Sequence, residues 1–108
     1  MEYAKLGNTD IEVSKLCVGC MSFGKAGTMH KWTLDEEQSG EVIRHALDLG
    51  INFFDTARFY TDSETKIGEA LGDVRENIYI ATKTAAQNSD DFWKDLTISL
   101  NNLKTDYI

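Results

Sequence analysis

The chain has no proline, where about five are average at this length, and only two cysteines, Cys17 and Cys20. With neither proline nor a low-complexity tract, the composition marks no linker and no second domain, so residues 1–108 read as one domain. Basic residues are scarce as well: 11 Lys and Arg against 18 Asp and Glu leave a formal charge of −7. That balance argues against broad electrostatic attraction to nucleic acid or to anionic membranes, although it leaves room for a local basic pocket. No apolar run approaches the roughly 20 residues of a membrane span. Met1-Glu-Tyr-Ala-Lys5 contains no basic stretch leading into an apolar one, so no signal peptide is visible and the cytoplasm is the expected location.

What is present alternates between strand and helix signals. Tyr3–Leu6 and Ile11–Ser14 are short and β-prone, and the turn-rich Gly7–Asp10 between them predicts a hairpin with a four-residue loop. Leu16–Met21 is nearly continuously apolar, as a strand buried on both faces would be. A loop from Ser22 to about Lys31 follows, broken by Gly24 and Gly27. Thr33-Leu-Asp-Glu36 then has the spacing of a capping box with Thr33 as N-cap. Ile43, Ala46, Leu47 and Gly50 share one helix face, and Gly50 is placed to end it.

The unit repeats. Ile51–Phe54 predicts a strand, Ser63 an N-cap for a helix carrying Ile67, Ala70 and Leu71, and Gly72 its stop. Ile78–Ala81 predicts another strand. Ser89 opens a further helix with Phe92, Leu96, Ser99, Leu100 and Leu103 along one face, and Asp106–Ile108 reads as the start of a fourth strand. Strand–helix alternation implies a parallel sheet. It can belong to an open doubly wound sheet or to part of a (β/α)8 barrel. The dinucleotide fingerprint G-x-G-x-x-G is missing: after the first βα strand the chain reads Gly19-Cys-Met-Ser-Phe-Gly24, with other spacing and no helix directly behind it. Asp55 and Lys83, by contrast, fall at C-terminal strand ends, where barrel enzymes place their chemistry.

Asp55, Tyr60 and Lys83 bring a carboxylate, a phenol and an ammonium to two consecutive strand ends. Transfer of a proton and a hydride at a carbonyl needs such a set: an acid, a cation to tune it and an anion to hold the cation. Each residue also has a plainer reading, as a turn cap, a packing aromatic and a solvated strand end. Cys17 and Cys20 are three apart in a predicted strand and would point to opposite faces, which suits free thiols in a reducing compartment better than a metal or a disulfide. His30 beside Trp32 reads as a surface or loop residue, and His45 as an exposed helical one. Ser89-Asp-Asp91 reads as a cap with an acidic first turn, so no metal site is expected there.

Three motifs in order carry a resemblance to a known family. Leu6–Ser14, then Gly50-Ile-Asn-Phe-Phe-Asp-Thr-Ala57 with Tyr60, Ser63-Glu64 and Gly68–Leu71, then Ala81-Thr-Lys83, resemble the N-terminal third of an aldo-keto reductase. The resemblance implies a (β/α)8 TIM-type barrel, represented by the hairpin and about three βα units. It implies NADP(H), with NAD(H) as the rarer alternative, and a small-molecule aldehyde or ketone as substrate. It implies Tyr60 as the general acid, Lys83 as the cation that lowers its pKa, and Asp55 as the lysine's partner near the nicotinamide ribose. Gly19, Cys20 and Met21 match the strand end beside the nicotinamide. The family's fourth catalytic residue, a histidine after strand four, and its phosphate-gripping segments have no counterpart up to Ile108. The expectation is therefore an isolated chain without reductase activity. The alternative is a non-enzymatic module that self-associates through open sheet edges.

Overall fold

A computed structural model describes residues 1–24 and 31–108; the predicted loop residues Gly27 and His30 lie outside the described residues. Strands β1 (Tyr3–Lys5) and β2 (Glu12–Ser14) pair antiparallel, with Ala4 opposite Val13. The Leu6 N–H donates to the Ile11 carbonyl at 2.8 Å and closes the predicted four-residue loop. Gly7 there has φ +60°, which glycine adopts without penalty. The hairpin is pinned to the start of the next strand region. Ser14 N–H donates to Asn52 Oδ1 at 2.7 Å, Asn52 Nδ2 donates to the Glu12 carbonyl at 3.1 Å, and the Tyr3 hydroxyl reaches the Gly50 carbonyl at 2.7 Å.

The main sheet has three parallel strands in the order β3 (Val18–Gly19), β4 (Phe53–Asp55), β5 (Tyr79–Ala81). Gly19 lies opposite Asp55, and Asp55 opposite Ala81. Helices α1 (Glu36–Asp48), α2 (Ser63–Leu71) and α3 (Ser89–Leu103) pack in series, α1 on α2 and α2 on α3. Phe54 and Ile80 point from the sheet into one core with Ile43, Ile67, Leu71 and Leu103. Residues of opposite phase, Phe53, Asp55, Tyr79 and Ala81, are half-buried or exposed. The helices thus cover one face only. A doubly wound sheet carries helices on both faces, so this is a segment of barrel wall rather than half of an open sheet.

Two glycines fix this packing. At the end of α1, Gly50 has φ +93°; its N–H donates to the Leu47 carbonyl at 2.9 Å while Ile51 N–H reaches the Ala46 carbonyl at 3.1 Å. This Schellman closure satisfies the last helical carbonyls and turns the chain into β4. Gly68 faces α3 so closely that a Cβ would sit 2.9 Å from the Leu103 carbonyl carbon and closer still to the Asn102 oxygen. No other residue permits that α2–α3 approach.

Several boundaries differ from the sequence-based expectation, each for a local reason. The strand expected over Leu16–Met21 shrinks to Val18–Gly19, and Leu16 is 59% exposed, because among the described residues β3 pairs with β4 alone. The N-cap of α1 is Asp35, not Thr33. Leu34 N–H bonds the Ser22 carbonyl at 2.8 Å, which keeps that residue extended, and Asp35 and Gln38 form the capping box. Asp62, not Ser63, precedes α2, because the Ser63 hydroxyl is engaged elsewhere. Gly72 ends α2 as its C-cap, as expected, but the chain runs on from it as a 3-10 stretch to Asn77 instead of turning directly into the next strand. Asn88, not Ser89, caps α3, accepting from Asp91 N–H at 2.9 Å. Phe92, expected on the inner face of α3, is 41% exposed. Asp106–Ile108 does not form a strand: Arg75 Nη2 takes the Tyr107 carbonyl at 2.7 Å, and its guanidinium lies 3.8 Å over the Tyr107 ring.

Candidate active site

The C-terminal end of the sheet brings three of the predicted residues together. Asp55 is the last residue of β4, Lys83 follows β5 by two residues, and Tyr60 lies in the turn before α2. Lys83 Nζ donates to Asp55 Oδ2 at 2.9 Å and to the Thr56 carbonyl at 2.5 Å, and stands 5.2 Å from the centre of the Tyr60 ring. Partial burial by itself would lower the Lys83 pKa. The hydrogen bond and charge of Asp55, joined by the Tyr60 phenol, outweigh it and raise the pKa above the ordinary lysine value.

The strand-end backbone is itself locked. Cys20 N–H donates to the Asp55 carbonyl at 2.8 Å, Thr56 N–H to the Ala81 carbonyl at 2.8 Å, and Arg58 N–H to the Lys83 carbonyl at 2.9 Å. Beneath them, the Ser63 hydroxyl donates to the Cys20 carbonyl at 2.7 Å and lies 2.7 Å from the Thr56 hydroxyl, all fully buried. A carbonyl can only accept, so the single Ser63 proton goes to Cys20 and Thr56 must donate to Ser63. The chain has one strained position here. Thr61, next to Tyr60, has φ +47°, a region costly for a β-branched residue. Its hydroxyl occupies space that a side chain at Gly24 would contest, since a Cβ there would fall 2.7 Å from it.

The candidate cofactor residues divide. Gly19 is exposed beside Asp55, and nothing lies within 4 Å of where its Cβ would be. Met21 is half-buried in the following turn. The Cys20 side chain is fully buried in the core between sheet and helices, so only its backbone belongs to the strand end. Burial pushes its thiol far up, and burial, then the Asp55 charge, raises that of Cys17 too; both are poor nucleophiles. Cys17 is exposed and Cys20 buried, as opposite faces would have it. Yet both sulfurs lie over the Val18 carbonyl, at 3.9 and 3.3 Å, because the two residues flank a two-residue strand instead of sitting within it. His45 is exposed on α1. Among the described residues no three His, Cys, Asp or Glu side chains gather as metal ligands, and no helix is long and apolar enough to cross a membrane.

Sequence reasoning missed five residues around Lys83: Thr56, Arg58, Glu64, Thr84 and Asp95. Thr56 and Glu64 stood inside the recognised motif without a role. Asp95 gave no signal, because one carboxylate on a helix face looks the same whether it meets solvent or a strand end. A cleft of about 760 Å³ lies at the opposite end of the sheet, between the 3-10 stretch and the end of α3. Its one arginine, Arg75, is already bonded to Thr105, Ile78 and Tyr107, and none of the strand-end residues lines it.

Parallel strands with helices on one face, and a carboxylate, a phenol and an ammonium gathered at their C-terminal ends, define a segment of (β/α)8-barrel wall. The family model of the aldo/keto reductase family matches residues 15–108, and the chain belongs to that family. It is 38% identical to the aldo-keto reductase YhdN of Bacillus subtilis, an alignment covering all of this chain and 36% of YhdN. It is 41% identical to a versiconal hemiacetal acetate reductase of Aspergillus parasiticus, over 77% of this chain and 25% of that protein. The holo form of aldo-keto reductase AKR11C1 from Bacillus halodurans superimposes with a TM-score of 0.83 and 32% identity, over 100% of this chain and 38% of that one. The chain thus spans about a quarter to two-fifths of the length of these relatives.

Proposed function

We propose that this chain supplies the acid–cation–anion part of a nicotinamide-dependent carbonyl reductase, acting on a small aldehyde or ketone in the cytoplasm. The observation that carries the reading is the convergence of Asp55, Tyr60 and Lys83 at adjoining strand ends of an aldo/keto reductase family member. A free phenol, with a pKa of about 10, is too weak an acid for the task. Lys83, beside the Tyr60 ring, supplies the positive charge that faces the phenolate left after the proton departs. Asp55 keeps Lys83 charged and fixed. The proton moves from Tyr60 Oη to the substrate carbonyl oxygen as that oxygen gains negative charge.

NADP(H), or NAD(H), is the proposed cofactor; when bound, it supplies the hydride. The residues fit a flat ring beside Asp55. Gly19 offers an exposed backbone there, with open space where a side chain would stand. Met21 and the Cys20 backbone adjoin it. Turnover is assigned to the complete barrel, and the 108 residues alone are expected to bind cofactor weakly and to reduce nothing.

The test is a chimera in which residues 1–108 replace the matching part of YhdN. It should oxidise NADPH with a simple aldehyde. Tyr60→Phe should remove most of that turnover, on the order of 10²-fold or more, while cofactor binding is retained, because only the proton donor is deleted. A Tyr60→Phe chimera as active as its parent would refute the assignment.

A further inference from the structure

Lys83 stands between two threonines, and all three consecutive side chains end on a carboxylate. The Lys83 ammonium meets Asp55 of β4 at 2.9 Å. The Thr82 hydroxyl donates to Glu64 Oε2 of α2 at 2.8 Å. The Thr84 hydroxyl donates to Asp95 Oδ2 of α3 in a short hydrogen bond, and accepts from Ala86 N–H at 3.0 Å. The alternation of an extended chain explains the pattern: residues 82 and 84 turn towards the helices, and residue 83 turns the other way, to the site.

The two carboxylates are not idle surface groups. Glu64 is 2% exposed, and its other oxygen accepts from Asn102 Nδ2 at 3.4 Å. Asp95 also sits 3.7 Å from Arg58 Nε, and the Arg58 N–H holds the Lys83 carbonyl. Arg58 precedes Tyr60 by two residues, so Asp95 bridges the segment carrying Tyr60 and the segment carrying Lys83. Beside this bridge is a cavity of about 60 Å³, lined by Thr82, Thr84, Asp95 and neighbours on α3. Buried hydrogen bonds rigidify what they hold, and here they run through the two threonine hydroxyls; Arg58 Nε is buried, meets Asp95 as an ion pair and has no hydrogen-bond partner. The Arg58 N–H holds the Lys83 backbone at one point, and the exposed Lys83 side chain has little packing around it, so the Thr82 and Thr84 side chains add the ties on either side.

We propose that Glu64 and Asp95 are positioning residues. Through the Thr82 and Thr84 hydroxyls they clamp both sides of Lys83, and so fix its ammonium between Asp55 and Tyr60. The inference rests on the reading of Lys83 as the cation that tunes Tyr60, but it is testable without turnover.

The experiment is a titration of the Lys83 ¹³Cε resonance in the 108-residue chain, with thermal unfolding of each variant as a check of fold. In the parent the midpoint should lie above the ordinary lysine value of about 10.4. Thr82→Val and Thr84→Val delete the hydroxyls and keep both carboxylates; each should bring the midpoint back towards that value, and the pair should do so further. Thr82→Ser and Thr84→Ser keep a hydroxyl and should hold the parent midpoint. If the double valine variant does not fold, the single variants carry the same test. Valine variants that titrate like the parent would overturn the proposal. So would a fall confined to Glu64→Gln and Asp95→Asn, which keep an acceptor oxygen and remove only charge, because the carboxylates would then act through their field. An inactive chimera combined with the expected titrations would sink the reductase reading and leave the clamp standing.

Discussion

The strand end around Lys83 and the outer face of α3 are built on opposite rules. At the strand end, polar side chains from four segments close on one another, and backbone N–H and carbonyl groups are shared between neighbouring segments. On the far side of α3, large apolar side chains face outward: Trp93 is 62% exposed and Ile98 38%. Trp93 meets Phe92, which lines the strand-end cavity, edge to face with ring centres 5.4 Å apart. Order at the strand end is thus produced by residues within this chain. The α3 face carries the composition of a buried surface without being buried. Geometry of the site and cover of the helices are separable properties here.

The sharpest way to break the comparison is to remove the packing beneath the strand end. Phe54 is fully buried and stands at the centre of the core, directly before Asp55. Phe54→Ala should destabilise by about 3–5 kcal/mol, the loss of a large buried aromatic plus the cavity left behind. Chemical denaturation read by circular dichroism would measure it. A loss near zero would mean that the polar ties alone hold the strand end.

What was legible in the sequence follows the same division. The hairpin, the order of strands and helices, and the meeting of Asp55, Tyr60 and Lys83 were readable, because turn glycines, apolar periodicity and a dense motif are local signals. Helix starts were off by one or two residues wherever adjacent residues offered equivalent caps. Ser63 is a good N-cap by type, but tertiary contact with Cys20 and Thr56 claims its hydroxyl, and Asp62 takes the position. Glu64 and Asp95 were not readable as partners of Thr82 and Thr84, because those pairs span 18 and 11 residues and are made only when the helices dock. The exposure of Phe92 escaped notice because periodicity reports which face is apolar, not what lies against it.

A second prediction concerns strain stored at the ordered end. Thr61 holds φ +47° directly after Tyr60. A left-handed conformation costs a non-glycine residue roughly 1–2 kcal/mol, more when it is β-branched. Thr61→Gly relieves that strain but adds about 0.5–1 kcal/mol of backbone entropy to the unfolded chain. The relief is larger, so a net stabilisation of about 0.5–1 kcal/mol is expected from denaturation midpoints. A destabilised variant would show that the threonine side chain contributes contacts worth more than its strain.

The smallest effect on stability should come from the outer face of α3, and there the informative quantity is association. Trp93→Ser removes an aromatic that is 62% exposed, so folding stability should change by no more than about 0.5 kcal/mol. Open sheet edges were the expected route to self-association, and β3 and β5 are the edges of the parallel sheet. They are two and three residues long, however, and can add few hydrogen bonds to a partner strand. Exposed Trp93 and Ile98 offer more apolar area, and removing such area from water contributes about 25 cal/mol per Å². The parent chain is therefore expected to sediment as more than a monomer at micromolar concentration, and Trp93→Ser to return it to a monomer with its unfolding curve unmoved. If the variant associates as the parent does, the contact runs through the edge strands; if the parent is itself a cooperatively melting monomer, the α3 face tolerates water better than its composition implies.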